Sequence, residues 1–247
     1  MERIKDMSLV ELLNPKENEH ILDLGCGDGE KTREIADSAA RVVGIDHSEC
    51  FSDEWDEARN DYENLEFQVM NAASLNFNEE FDAVFSNLVI HFIKPPKQVI
   101  SSVWNALKPG GRFVAEFYGH GTAEEIILAL QQVMSDRNYS FDIKKDFPWY
   151  LPTQEEYCNL LKSQGFEVTD DDQSSFAKLK GFLYETIVDW FKRIRTNTQN
   201  FDYIDENIFQ DVQKKVSDQL YRNNELFVNY QHIRIVAIKS SQLSNNK

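Results

Sequence analysis

The residues with the clearest chemical purpose are three glycines at alternate positions, Gly25, Gly27 and Gly29, in the stretch I-L-D-L-G-C-G-D-G at 21–29. An apolar run leads directly into them, and a helical stretch follows. Glycine is required where a backbone turns sharply and lies against a ligand with no Cβ in the way. A strand-to-helix turn with no ligand has the same appearance, so the motif alone is only a hypothesis. A carboxylate narrows it. Asp46 ends the run Val42–Ile45 about 20 residues past Gly25, the place from which an acid accepts both hydroxyls of an adenosine ribose. Taken alone, Asp46 also reads as a solvated loop acid or as the cap of a helix beginning near Ser48.

Two cofactor classes share a glycine turn and a ribose acid. The dinucleotide fingerprint G-x-G-x-x-G would put its third glycine at position 30, which is Glu30. An acid there repels a pyrophosphate seated on a helix N-terminus. The observed G-x-G-x-G, with Asp23 two residues upstream, suits a cofactor without phosphates and with a cationic amino group. S-adenosylmethionine is that cofactor, and hydride transfer falls away.

The elements that must position these groups alternate through the first 170 residues. Short apolar runs occur at His20–Leu24, Arg41–Asp46, Leu65–Met70, Phe81–Ser86 and Gly111–Phe117, as expected of parallel strands buried on both faces. Helical candidates lie between them at Glu30–Ala39, Glu49–Tyr62, Pro96–Leu107 and Ala123–Asp136. This alternation predicts an α/β, Rossmann-like, doubly wound parallel sheet. Thr153–Gln164 carries a capping box, Thr153 with Glu156, and closes on Gly165 before a strand at Phe166–Thr169,. Residues 176–222 read as two amphipathic helices, the first marked by Phe182, Ile187, Trp190, Phe191 and Ile194,. A strand, Leu226–Ile238, ends the pattern. The expected organisation is a core at 1–172 and 225–240, a helical cap inserted at 173–224, and a flexible tail at 241–247. Such an insertion covers the strands' carboxyl ends, where open α/β sheets bind ligands.

Bulk properties exclude several function classes. The chain has 247 residues, 41% hydrophobic and 28% charged, ordinary values for a packed protein,. No signal-peptide core and no apolar run of membrane-spanning length is evident, so a cytoplasmic location is expected. Cys26, Cys50 and Cys158 form no C-x-x-C pair, which predicts a reducing compartment and no structural metal or disulfide. A net charge of −16 without a Lys/Arg-rich run lowers nucleic acid among the partners, because phosphate contacts supply much of that affinity.

The chain resembles the class I S-adenosylmethionine-dependent methyltransferases, and within them the branch similar to trans-aconitate methyltransferase. Beyond the glycine motif, the likeness includes V-V-G-I-D at 42–46, M-N-A-A-S-L at 70–75 and F-D-A-V-F-S-N-L-V-I-H-F at 81–92. It continues through L-K-P-G-G-R-F-V-A-E-F at 107–117, F-P-W-Y-L-P at 147–152, E-Y-C-N-L-L-K-S-Q-G-F-E-V at 156–168 and R-I-V-A-I-K at 234–239. The resemblance implies a seven-stranded sheet with its last strand antiparallel. It implies that Asp23, Gly25, Cys26 and Gly27 line the methionine moiety, and that Asp46 holds the ribose. His47 would pack on the adenine face and Asn71 and Ala72 would meet its edge, while Asn87 and Leu88 flank the methionine carboxylate and amine. The family pattern usually has Asp at position 71; Asn71 keeps an acceptor oxygen without the charge. Only a short helix, Ser8–Leu13, precedes the first strand, where the family usually has an extra segment over the cofactor.

The acceptor side is less specific. His91, after the fourth strand, and Tyr118 and His120, after the fifth, fall at carboxyl edges of strands. Trp149 and Tyr150 are candidate walls of an apolar pocket, though Trp149 reads more simply as packing. In the last strand, a period of two puts Tyr230, His232 and Arg234 on one face,. Arginine suits a carboxylate acceptor through its planar fork, while 42 acidic residues also offer it structural partners. The expected activity is methylation of a small molecule, with O-methylation of a carboxylic acid as its specific form. The alternatives are a cofactor-binding protein without turnover and a methyltransferase acting on a protein or tRNA.

Overall fold

The computed structural model describes residues 7–168, 177–180, 186–196, 204–222 and 225–241. The chain divides into two compact units, the first Met1–Phe117, Thr153–Phe176 and Ile233–Lys247, the second Tyr118–Pro152 and Ala177–His232. The second unit thus takes in Tyr118–Pro152 as well as most of the expected insertion.

The elements of the sheet are β1 (His20–Leu24), β2 (Arg41–Asp46), β3 (Leu65–Val69), β4 (Phe81–Asn87), β5 (Leu107–Tyr118), β6 (Phe166–Val168), β7 (Ala177–Lys180) and β10 (Asn229–Lys239). A hairpin of β8 (Tyr221–Arg222) and β9 (Glu225–Leu226) is separate. Seven strands follow one path, β3-β2-β1-β4-β5-β10-β6, and the short β7 joins by pairing with β10. β1 is parallel to β2 and β4, β2 to β3, and β4 to β5. The last strand is antiparallel to β6 and β7. The expected mixed sheet is therefore present.

The central strands β1 and β2 form where the sequence is almost continuously apolar. Ile21, Leu22 and Leu24 of β1 and Val42, Val43 and Ile45 of β2 are fully buried, each contributing roughly 1.5–3 kcal/mol through the water it leaves. In the first unit the helices are α1 (Leu9–Leu13), α2 (Glu30–Ala36), α3 (Ser52–Asp61), α4 (Pro96–Ala106) and α7 (Gln154–Gln164). The expected capping box forms on α7, Thr153 with Glu156, and Gly165 closes that helix at φ 112°. Ser8 and Glu11 form a second capping box on α1. In the second unit lie α5 (Glu124–Asp136), α6 (Ile143–Asp146), α8 (Ile187–Thr196) and α9 (Glu206–Leu220). No helix among the described residues is long and apolar enough to cross a membrane.

Several boundaries move for identifiable reasons. α3 starts at Ser52 because residues 47–51 are spent on turns, with Ser48 N–H donating to Asp46 Oδ1 (3.1 Å) and Cys50 N–H to Ser48 Oγ (3.2 Å). α2 stops at Ala36 because Asn64 Nδ2 caps the carbonyls of Ala36 (2.9 Å) and Ala39 (2.8 Å). The stretch expected to be helical from 176 holds β7 instead, since A-K-L-K finds a partner in β10. Ile187, Trp190, Phe191 and Ile194 bury the α8 stripe as expected, while Phe182 and Thr169 lie outside the described residues.

Candidate cofactor site

The turn after β1 is built on left-handed backbone. Gly25, Gly27 and Gly29 have φ of +78°, +53° and +79°, angles that carry a steric cost for residues with a Cβ. Gly25 N–H and Cys26 N–H both donate to the Ile45 carbonyl, at 2.8 and 2.9 Å, which folds the turn onto the end of β2. The three glycines are required for different reasons. A Cβ on Gly25 would lie 2.3 Å from Val89 Cγ2, and one on Gly29 2.7 Å from Phe67 Cζ. Beside Gly27 it would meet nothing within 4 Å. The first and third positions are glycine because protein packs against them, and the middle one leaves a bare, open surface.

Asp46, at the end of β2, is aimed by the backbone. Its Oδ2 accepts from Gly27 N–H (3.1 Å) and its Oδ1 from Ser48 N–H (3.1 Å). His47 Nδ1 lies 3.1 Å from Oδ1, with the imidazole 81% exposed and the Asp46 side chain only 11%. A carboxylate has about four lone-pair positions, so this orientation leaves acceptor capacity for a diol. Motif spacing does not point to the tryptophan of α3, yet Trp55 Nε1 donates to the Gly27 carbonyl at 2.8 Å. The signal for it in the sequence is a single large apolar residue in the otherwise polar S-D-E-W-D-E-A-R-N-D, buried with Ala58 three residues on.

Beneath the turn, Asp23 is 2% exposed and accepts from Thr32 Oγ1 of α2 at 2.7 Å. Burial, with repulsion from Asp46 and against the Thr32 hydrogen bond, pushes its carboxyl from 3.8 up to about 7. Burial disfavours the charged form, so this carboxyl keeps its proton to a higher pH than an exposed aspartate. Burial, and then the carboxylates of Asp23 and Asp46, also push the Cys26 thiol well above its ordinary range, so Cys26 acts here as a small apolar packing group.

Asn71 and Ala72 follow β3. Asn71 is exposed and its Oδ1 caps the short turn Ala72–Ser74 through Ala73 N–H (2.9 Å), while Ala72 is buried. Asn87 ends β4, and Leu88 has φ +57°, a rare conformation for a bulky side chain and one that clusters at functional sites. Leu88 N–H donates to the Glu116 carbonyl of β5 at 2.7 Å. The carboxylate that meets Arg234 is the protein's own Glu116; Arg234 also donates to the Met7 carbonyl at 2.7 Å.

The remaining candidates separate. His91, in the first unit on the short turn Ile90–Phe92, is fully buried with its ring 4.1 Å from that of Phe92. In the second unit, Tyr118 brings three rings together: Tyr230 at 4.7 Å, His232 at 5.1 Å and Trp149 at 5.7 Å between centroids. Tyr118, Trp149 and His232 are all buried, Tyr150 is half-buried, and His120 is exposed with its N–H on the Pro152 carbonyl (2.8 Å).

Residues 22–115 match a family model described as a methyltransferase domain. An uncharacterized methyltransferase of Schizosaccharomyces pombe is 29% identical over 245 residues, covering 94% of this chain and 90% of that protein. A tRNA U34 carboxymethyltransferase of Pseudoalteromonas atlantica is 28% identical over 155 residues, 61% of this chain and 45% of that protein, so the match spans less than half of that relative. Among solved structures, a Bacillus halodurans protein assigned to the methyltransferases shares the fold with a TM-score of 0.66 at 18% identity, covering 94% and 97% of the two chains. A phosphoethanolamine N-methyltransferase of Haemonchus contortus in complex with S-adenosylmethionine does so with a TM-score of 0.53 at 23% identity, covering 91% of this chain and 49% of that one.

Proposed function

We propose, from the premise that this chain is an S-adenosylmethionine-dependent methyltransferase, that it methylates a small-molecule acceptor. One observation carries the choice of acceptor. The glycine turn and its neighbouring helices expose Asp28, Glu30, Asp53, Glu54, Asp56 and Glu57, while Lys31 pairs with Glu34 and Arg59 with Asp56. That local field adds to the net charge of −16 and repels a phosphodiester backbone, whose binding depends on unpaired Lys and Arg.

The residues fit the cofactor on two structural grounds: the bare surface at Gly27, which a Cβ would fill, and the oriented Asp46 carboxylate. Asp46 takes the ribose hydroxyls. Asp23, Gly25, Cys26 and Gly27 line the methionine moiety, with the buried Asp23 carboxyl facing a cation. His47, exposed beside Asp46, covers the adenine. Asn71 and Ala72 lie at its edge, where Asn71 Oδ1 keeps a second lone pair beyond the one given to Ala73. Asn87 and the left-handed Leu88 flank the carboxylate and amine. Bound S-adenosylmethionine supplies an activated methyl group, so the protein contributes mainly placement and exclusion of water. The resemblance to the trans-aconitate branch favours a carboxylic acid as acceptor; it is ionised at neutral pH and needs no base. Arg234 is not its anchor in this reading, since Glu116 already occupies the guanidinium.

Calorimetry tests the cofactor assignment. Asp46→Ala is expected to weaken binding of S-adenosylhomocysteine by about 10²-fold, as for loss of roughly 3 kcal/mol of hydrogen bonds to a charged acceptor; unchanged affinity refutes it. Incubation with methyl-labelled cofactor and separated cell fractions tests the acceptor. Label in low-molecular-weight acids supports the proposal, and label in tRNA or protein overturns it.

A further inference from the structure

Gly27 has both of its peptide groups held from elsewhere in the chain, by Asp46 at the end of β2 and by Trp55 of α3. Its N–H, in the plane before Cα, is bonded to Asp46 Oδ2 (3.1 Å). Its carbonyl, in the plane after Cα, is bonded to Trp55 Nε1 (2.8 Å), with the weaker Cys26 Sγ contact at 3.9 Å. A residue with no Cβ has few steric limits on φ and ψ, so such bonds matter more to its conformation. Tying down both planes adds two anchors from outside the turn to the turn's own bond, Gly29 N–H to the Cys26 carbonyl (2.9 Å).

Trp55 is itself immobilised. It is 3% exposed and stacks on Phe67 at 5.2 Å with the rings 4° from parallel. Phe67 in turn fills the space beside Gly29 and Gly44, where an added Cβ would approach its ring to 2.7 Å. Arg59 of the same helix holds the Phe67 carbonyl (2.9 Å) and lies 5.9 Å over its ring. The indole N–H is thus presented to Gly27 by a buried ring stacked on Phe67.

We propose that Trp55 is a positioning residue for the cofactor: by fixing the Gly27 carbonyl it fixes the N–H that orients Asp46 toward the ribose. The inference rests on the ribose role given above to Asp46. Without the indole donor, the glycine samples other conformations and the carboxylate loses one of the two backbone donors that aim it. Binding then has to include that ordering, which weakens affinity.

The test uses the full chain and S-adenosylhomocysteine. Replacing Trp55 by its benzothiophene analogue exchanges the N–H donor for a sulfur and preserves the stacked bicyclic ring; Trp55→Phe removes the donor together with part of that ring. Both are expected to raise the Kd about tenfold. In an Asp46→Ala background the same replacements are expected to change Kd by less than twofold, because the route through Asp46 is gone. A purely structural role predicts instead that the two losses add. A tenfold loss persisting in Asp46→Ala, or an analogue that binds within twofold of the native chain, overturns the proposal. If the native chain itself does not bind, it is the cofactor reading that falls, and the role of Trp55 with it.

Discussion

Around the glycine turn of the first unit, polar groups meet backbone atoms one at a time: Asp46 on Gly27 N–H, Trp55 on Gly27 O, with Thr32 on the Asp23 carboxyl below. In the second unit Tyr118, Trp149, Trp190, Phe191, Phe209 and Tyr230 pack ring against ring, linked by Trp190 Nε1 donating to the Tyr230 hydroxyl at 2.8 Å. The first arrangement depends on which atom stands where, and so on residue identity. The second depends on volume and shape, which several residues can supply. The glycine turn and its carboxylate therefore show in a short motif, and the aromatic cluster does not.

The sharpest way to break this contrast is to cut into the aromatic cluster and look for an effect on the cofactor. Trp190 is 1% exposed, so Trp190→Ala is expected to cost about 3–5 kcal/mol of stability in chemical denaturation. Affinity for S-adenosylhomocysteine below the transition should stay within twofold. A folded variant that no longer binds would mean that the cluster and the turn are one device.

Within the turn, two neighbouring glycines should fail differently. Gly25→Ala meets Val89 and strains a φ of +78°, an expected loss of about 2–4 kcal/mol from steric overlap and backbone conformation together. Gly27→Ala meets nothing within 4 Å and should cost only about 1 kcal/mol for its positive φ. Its methyl group, however, projects from the bare surface assigned to the cofactor, and binding should fall by more than tenfold. Equal stability losses with unimpaired binding by Gly27→Ala would remove that surface from the site.

The smallest expected effect is a pH dependence. Asp23 is raised from 3.8 to about 7. Below about pH 4 the folded and unfolded chains both keep this proton, and between about 4 and 7 only the folded chain does. Its contribution to stability is thus present at low pH and is lost as pH rises toward 7. Under the role proposed for Asp23, cofactor binding has the opposite sign, because a cationic ligand favours the ionised form. Affinity should increase about tenfold from pH 6 to 8, with proton release detectable at pH 6 by calorimetry in buffers of different ionisation enthalpy. Asp23→Asn should flatten both profiles, and a profile in the native chain that is already flat refutes the assignment.

Much of this molecule is legible in sequence wherever a local rule suffices. Thr153, Glu156 and Gly165 announce α7 because a helix end has to satisfy its own donors and carbonyls within a few residues. The strand β7 is not legible: A-K-L-K at 177–180 becomes a strand by pairing with β10, about 50 residues away. Arg234 is ambiguous for the same reason. Its type suits a carboxylate, and only the three-dimensional arrangement shows that Glu116 supplies it.

The sequence by itself determined where the glycine turn and its carboxylate lie, because positive φ values favour glycine and Asp46 ends an apolar run,. Tertiary structure alone decided which protein atoms complete that turn. Val89 beneath Gly25, Phe67 beneath Gly29 and Trp55 on the Gly27 carbonyl come from distant points on the chain. A hydrogen bond or a van der Waals contact acts over a few ångströms of space, and no spacing in the sequence records it.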